Sequence, residues 1–135
     1  MASLKLVTYF KIALEDKPGT VLGVLKDLKA KNIGLVALYG YGTQPGQSEL
    51  YCIPKNPDKF RAAFKLANPT LEEGTGLLLK GEDKTGALVK ALESLASAGV
   101  SMGAMYAIAT GGKYGSFIRI ASADVEKAAK VLGVK

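Results

Sequence analysis

Two stretches hold the residue types best suited to chemistry: Glu15-Asp16-Lys17-Pro18-Gly19-Thr20-Val21-Leu22 and Glu82-Asp83-Lys84-Thr85-Gly86-Ala87-Leu88-Val89. Each sets two carboxylates and a lysine ahead of a glycine and an apolar run. Carboxylates and lysines tuned by burial can do general acid–base work. At a helix start, the same aspartate can simply accept the first free N–H groups, and a glycine can simply make a tight turn. The rest of the sequence weighs against catalysis. The chain of 135 residues has no histidine and one cysteine, Cys52, which removes Ser-His-Asp triads, Cys-His pairs and Cys/His zinc sites from a single chain. No G-x-x-x-x-G-K-[ST] loop is present, and Gly40-Tyr41-Gly42 lacks the third glycine of a dinucleotide turn. Neither enzyme activity nor a cofactor or metal is expected.

The two stretches are one motif written twice, at a shift of 67 residues (82 − 15). The same shift pairs Leu25 with Leu92, Leu28 with Leu95, Ala37 with Ala104, Tyr39 with Tyr106, Thr43 with Thr110 and Ile53 with Ile120. A duplicated unit fixes architecture and favours a pseudo-symmetric interface. Near the end, Lys127-Ala128-Ala129-Lys130-Val131-Leu132 matches Arg61-Ala62-Ala63-Phe64-Lys65-Leu66 at a shift of 66 (127 − 61).

The elements that must carry the motif follow from periodicity. Leu4 to Leu14 alternates as a strand. Asp16 to Thr20 breaks it and opens a helix, with Asp16 as the cap and Pro18 in the first turn. Val21, Leu22, Val24, Leu25 and Leu28 then recur at helical spacing. Asn32 ends that helix and Gly99 ends its counterpart; both residue types tolerate the left-handed backbone of a C′ position. Strands are expected at Ile33 to Gly42 and Ser48 to Pro54, joined by the turn Thr43-Gln44-Pro45-Gly46-Gln47. Asn56-Pro57-Asp58 opens a helix bearing Phe60, Ala63, Phe64 and Leu66 or Ala67. Asn68 to Thr75 reads as the segment between modules. The second copy gives a strand at Gly76 to Gly81, a helix at Thr85 to Ala98, a hairpin of Val100 to Ala109 with Ser116 to Ala121, and a helix at Asp124 to Leu132. Gly133-Val134-Lys135 is too short for a closing strand, so closing and opening strands are expected to be shared between modules or with a second chain.

The fold class is therefore α+β: two ferredoxin-like βαββαβ modules in tandem, residues 1–70 and 71–135, with antiparallel sheets and helices on one face. A module of about 65 residues buries too little surface to be robust alone, so pairing is expected. No apolar run approaches the ~18 residues of a membrane span, no secretory signal is visible, and a lone cysteine suits a reducing compartment; the expected location is cytoplasmic. The net charge of +6, from 18 Lys+Arg against 12 Asp+Glu, is spread without runs and reads as a solvated surface. Tyr114-Gly115-Ser116-Phe117-Ile118-Arg119 faintly echoes an RNA-recognition strand, but Ser48-Glu49-Leu50-Tyr51-Cys52 does not match it. Nucleic acid is not an expected partner.

Glu15 to Leu22, with Leu25, Leu28 and Asn32-Ile33, resembles the first half of an ACT domain, as does Pro54-Lys55-Asn56-Pro57-Asp58-Lys59. The second copy matches through Glu82 to Leu88, Leu92, Leu95, Ala98-Gly99-Val100 and Ser122-Ala123-Asp124. The resemblance spans nearly the whole chain and is to small free-standing proteins made of two ACT modules. It implies a non-catalytic regulatory protein that binds an amino acid or similar effector between modules. The ligand is held by the strand-to-helix loop of one module and the start of the second strand of the other. Carried onto this sequence, the implied ligand-binding residues are Asp16, Pro18, Gly19, Thr20, Val21, Asn32 and Ile33 in copy one. In copy two they are Asp83, Thr85, Gly86, Ala87, Leu88, Gly99, Val100 and Ser101. A glycine there lets backbone approach a ligand, free helix N–H groups favour a carboxylate, and Asp16 or Asp83 receives an amino group. A homodimer and a partner enzyme of amino-acid metabolism are further implications.

Two departures bear on this. Thr85 replaces Pro18, and Gly34 and Ser101 stand where the family often has Asn, which removes a donor and an acceptor. The competing reading is a protein–protein interaction module that keeps the fold and has lost the ligand. Cys52 is expected to be an inert buried thiol, and Tyr39 and Tyr106 to fill core or interface.

Overall fold

In the computed structural model, which describes residues 3–68, 70–82 and 85–134, the alternating N-terminal run becomes β1 (Ser3–Glu15). It is followed by α1 (Thr20–Ala30), β2 (Leu35–Gln44), β3 (Gln47–Pro54), α2 (Pro57–Phe64), β4 (Glu72–Glu82), α3 (Thr85–Ser97), β5 (Met102–Thr110), β6 (Lys113–Ile120), a single 3-10 turn at Ser122–Asp124 and α4 (Val125–Leu132). The chain divides into two compact units, Thr8–Gly74 and Met1–Val7 with Thr75–Lys135. The first is the β2–β3 unit and the second the β5–β6 unit.

In the β2–β3 unit the strand order is β2-β3-β1, with β4 next to β1. Phe10 lies opposite Cys52 and Ile12 opposite Leu50 across the antiparallel β1–β3 pair. These four residues share one face, as a period of two requires. They form the core with Leu28 of α1, Ile33, and Phe60 and Phe64 of α2, so both helices cover the same side. Phe60 is the centre of an aromatic stack, its ring 4.5 Å from Phe10 and 4.7 Å from Phe64. Asn56 caps α2, its Oδ1 accepting the Lys59 N–H at 3.1 Å, with Pro57 in the first turn. Leu66 does not face the core; it lies beyond the end of α2 and is 97% exposed. On the opposite face, Lys11 of β1 bridges Glu49 of β3 at 3.1 Å and Glu72 of β4 at 2.9 Å. These two carboxylates, Glu72 foremost, hold the ammonium above the usual lysine range.

The β5–β6 unit repeats the plan with β4, β6 and β5 in order and α3 and α4 on one face. Leu77 of β4 opposes Ile118 of β6, and both join Leu95, Val100, Ile120 and Ala128 in its core. Leu4 and Leu6, from the start of β1, pack against this core. Leu71 packs against the other one. The compact units therefore part elsewhere than between residues 70 and 71: residues 1–7 go with the later unit and residues 71–74 with the earlier one. Strand length is the reason, since β1 with 13 residues and β4 with 11 each exceed the ~5–6 residues one small sheet needs. The stretch expected to separate the modules is built in as well. Asn68 Nδ2 donates to Phe64 O at 3.0 Å, the Leu71 N–H donates to Asn68 O at 2.9 Å, and β4 starts at Glu72.

Register corrects the repeat. Cys52 opposes Phe10 as Ile118 opposes Leu77, so β3 and β6 correspond at a shift of 66 (118 − 52). Tyr39 opposes Tyr51 and Tyr106 opposes Phe117, so β2 and β5 correspond at 67 (106 − 39). The change falls at an irregularity between Gly42 and Gln44 in β2, where Thr43 is an extra, bulged residue. The matches of Thr43 with Thr110 and Ile53 with Ile120 are therefore not structural. Ile120 belongs to the helix-side core, while the residue that corresponds to Ile53 is Arg119, opposite Ala104 as Ile53 is opposite Ala37.

Arg61 of α2 donates from Nε to Glu73 Oε2 at 2.9 Å and pairs with Asp58. The guanidinium holds the Glu73 carboxyl below its usual range. A depressed folded-state pKa stabilises above the unfolded value, near 4.5, and that contribution is lost as pH falls through the folded value. The pair is solvent-exposed, so its effect is small. Glu73→Gln is expected to lower the urea midpoint at pH 7 by about 0.3 M and to lower it less at pH 2.5. Urea melts of both proteins at the two pH values check this; an equal deficit at both would show that the pair is not the cause.

Candidate functional site

The loop between β1 and α1 gathers Asp16, Pro18, Gly19, Thr20 and Val21 in one place. Gly19 is the N-cap of α1, with φ 92° and ψ −13°, a conformation that penalises any Cβ. No side chain caps the helix. Asp16 does not take the role expected of it. Its backbone N–H donates to Gly46 O at 3.0 Å, which ties the loop to the β2–β3 turn, and its Oδ2 lies 3.6 Å from where a Gly42 Cβ would stand. Thr20 Oγ1 lies 2.9 Å from Glu15 O and 3.0 Å from Lys17 O, so its hydroxyl secures the turn. Lys17 pairs with Glu15 at 3.0 Å in solvent. The Gly23 N–H donates to Gly19 O at 2.9 Å, the first bond of the α-helical ladder. The N–H groups of Val21 and Leu22 point out of the helix end with no intrahelical acceptor. An uncapped helix start is a place where an anionic group such as a carboxylate can be received.

Asn32 and Ile33 stand at the other end of α1, about 15 Å along the axis of that 11-residue helix. Asn32 is the one non-glycine residue with positive φ, 55°, among the described residues. Around it the Ile33 N–H donates to Leu28 O at 2.9 Å and the Asn32 N–H to Lys29 O at 3.1 Å. This is a Schellman cap, completed by the core contact of Ile33 with Leu28. Gly99, φ 73°, does the same for α3: the Val100 N–H donates to Leu95 O at 2.9 Å, and Val100 and Leu95 share a core. The side chains of Ile33 and Val100 are thus buried. Ser101 is exposed. Sequence reasoning did not single out Lys59, whose Nζ donates to Asn32 O at 2.7 Å; a lone lysine on a helix carries no mark of a partner 27 residues away.

The second loop is built differently. Asp83 lies outside the described residues, as do the side chains of Thr85 and Ala87. Gly86 lies inside α3, which begins at Thr85, and lacks the positive φ of Gly19. The helix therefore starts two residues earlier relative to the motif than α1 does. Leu88 packs against the core of its unit.

A pair of substitutions reads this difference directly. A methyl group added at either glycine would meet nothing within 4 Å, so backbone conformation alone sets the sign. Gly19→Ala is expected to destabilise by about 1–2 kcal/mol. Gly86→Ala is expected to stabilise by about 0.5 kcal/mol. Urea denaturation of the two variants checks this, and effects of the same sign would contradict the assigned backbone.

Elsewhere, Cys52 is fully buried and burial pushes its thiol up to about 12, which leaves it protonated and unreactive. Tyr39 is buried and stacked on Tyr51 at 4.7 Å, whereas Tyr106 is exposed. No helix among the described residues is long and apolar enough to cross a membrane.

No protein-family model matches the chain, and no curated protein does. Solved structures do. Protein BT0572 from Bacteroides thetaiotaomicron is similar at 27% identity over 96% of this chain and 88% of its own, with a TM-score of 0.74. The regulatory subunit of aspartate kinase from Thermus thermophilus, in ligand-free form, is 16% identical over 98% of this chain and 95% of its own, with a TM-score of 0.66. That from Thermus flavus is 17% identical over 98% and 94%, with a TM-score of 0.63. The fold is α+β and ACT-like, that of aspartate kinase regulatory subunits.

Proposed function

We propose that this chain is a non-catalytic regulatory protein built of two ACT modules, and that it binds an amino acid or a similar zwitterionic effector. One observation carries the reading: the uncapped start of α1, where Gly19, three residues after Asp16, takes a left-handed backbone. In this reading the modules are the two compact units, and the β1–α1 loop is the working one. Gly86 sits inside a helix, so the second loop offers no matching turn. The likeness to aspartate kinase regulatory subunits supports a regulatory role, a cytoplasmic setting and a partner enzyme of amino-acid metabolism. A thermal-shift screen of all amino acids, followed by calorimetry, tests the proposal. A ligand at a hundredfold excess over its Kd adds about 2.7 kcal/mol, and Asp16→Ala and Gly19→Val are expected to abolish that gain. No shift with any amino acid would reject the proposal.

A second reading, an interaction module that has lost its ligand, is favoured by β5. This edge strand has no charged residue and exposes Met102, Met105, Tyr106 and Ile108, an unprotected template for pairing. A homodimer formed there is disrupted by Ile108→Lys; light scattering that finds a monomer at high concentration counts against it.

A further inference from the structure

The β5–β6 unit has an open hollow of about 530 Å³ at the end of its sheet, with Ser3, Lys80, Glu82, Lys113 and Gly115 in its lining. Lys80 lies opposite Gly115, and Glu82 opposite Lys113, across the β4–β6 pair. Residues two apart on a strand share a face, so the two lysines and the glycine lie on one side of the sheet. Gly115 leaves the space: a Cβ there would meet nothing within 4 Å. Neither lysine is ion-paired with a carboxylate among the described residues.

The other unit supplies an internal control, because the same fold places different residues at the same points. Ala13 lies opposite Glu49 on β1 and β3, and Glu15 opposite Gln47, which makes Ala13, Glu49 and Gln47 the counterparts of Lys80, Gly115 and Lys113. There the surface is occupied by Glu49, held by Lys11 at 3.1 Å. The fold therefore does not require the two lysines or the cleared space; they are particular to this copy.

We infer that this hollow binds a small oxyanion, a carboxylate or phosphate group on a metabolite-sized molecule, between the Lys80 and Lys113 ammonium groups. Each ammonium offers three donors as a compact charge, and the Ser3 hydroxyl adds another. With Glu82 opposite Lys113, the net positive charge of the described lining is one unit. That suits one anionic group and disfavours a polyanion such as nucleic acid. The hollow shares no residue with the β1–α1 loop, and the inference does not rest on the effector reading.

Calorimetry with inorganic phosphate and with succinate, at ionic strength matched by chloride, tests it. The wild-type chain is expected to bind one or both saturably, one per chain; which of them binds identifies the anionic group. Lys80→Ala/Lys113→Ala removes the charge at exposed positions that do not carry the fold. Gly115→Val fills the hollow and keeps the charge. Both variants are expected to weaken binding at least tenfold, while Asp16→Ala leaves it unchanged. Absence of saturable binding by the wild type, or undiminished binding by both hollow variants, overturns the inference.

Discussion

Deleting residues 1–7 is expected to unfold the β5–β6 unit and to leave the β2–β3 unit folded. Leu4 and Leu6 pack on the core around Leu77, Leu95 and Ile118, and residues Met1–Val7 belong to that unit. Full burial of a leucine stabilises by about 1.5–3 kcal/mol, and these two are partly buried, so each contributes about 1–2 kcal/mol. The deletion also strips β4 of strand pairing on its β1 side, at about 1 kcal/mol net per hydrogen bond lost to a buried strand. A unit of about 60 residues has little stability in reserve. Amide exchange checks the outcome residue by residue. Protection is expected to collapse at Leu77, Leu95 and Ile118 and to persist at Phe10, Leu50 and Cys52. Retained protection at Ile118 in the truncated chain would mean that the start of β1 is dispensable to that unit.

Phe60→Ala is expected to cost about 3–5 kcal/mol, the largest single-residue effect in the β2–β3 unit. Phe60 has no exposed surface, and its ring stacks on both Phe10 and Phe64. The cavity would open between the sheet and α2, leaving both neighbouring rings without the Phe60 ring stacked on them. Set against a total of about 5–15 kcal/mol for a domain, the loss lowers the melting temperature by roughly 15 °C. Calorimetry of the variant measures it, with Leu66→Ala as the control. Leu66 is 97% exposed, so its truncation is expected to change stability by less than about 0.5 kcal/mol. A Phe60→Ala loss under about 1 kcal/mol would mean that the stack is not the centre of this core.

The site is legible in its local parts. Asn32 and Gly99 occur where a helix must end, and the structure gives both the left-handed backbone and the same cap. Asn56 and Pro57 likewise open α2 as their residue types require. The aspartate of the first loop is the exception. Asp16 is a good cap by type, but the loop is tied to the β2–β3 turn through its backbone, and Gly19 takes the cap position. That contact joins residues 30 positions apart (46 − 16), and nothing in either stretch announces the other.

The sequence by itself determined the α+β class and the order of elements, because each follows from periodicity and capping within one helix or strand. It also excluded histidine chemistry outright. Only the tertiary structure decided which residues close each sheet, because strand pairing is non-local and a long strand can serve two cores. It moved the repeat from a shift of 67 to one of 66 at the Thr43 bulge, since an extra residue in a strand changes register without changing composition. It also separated Gly19 from Gly86. The two glycines are identical in sequence terms, and they differ because one ends a turn while the other lies inside a helix.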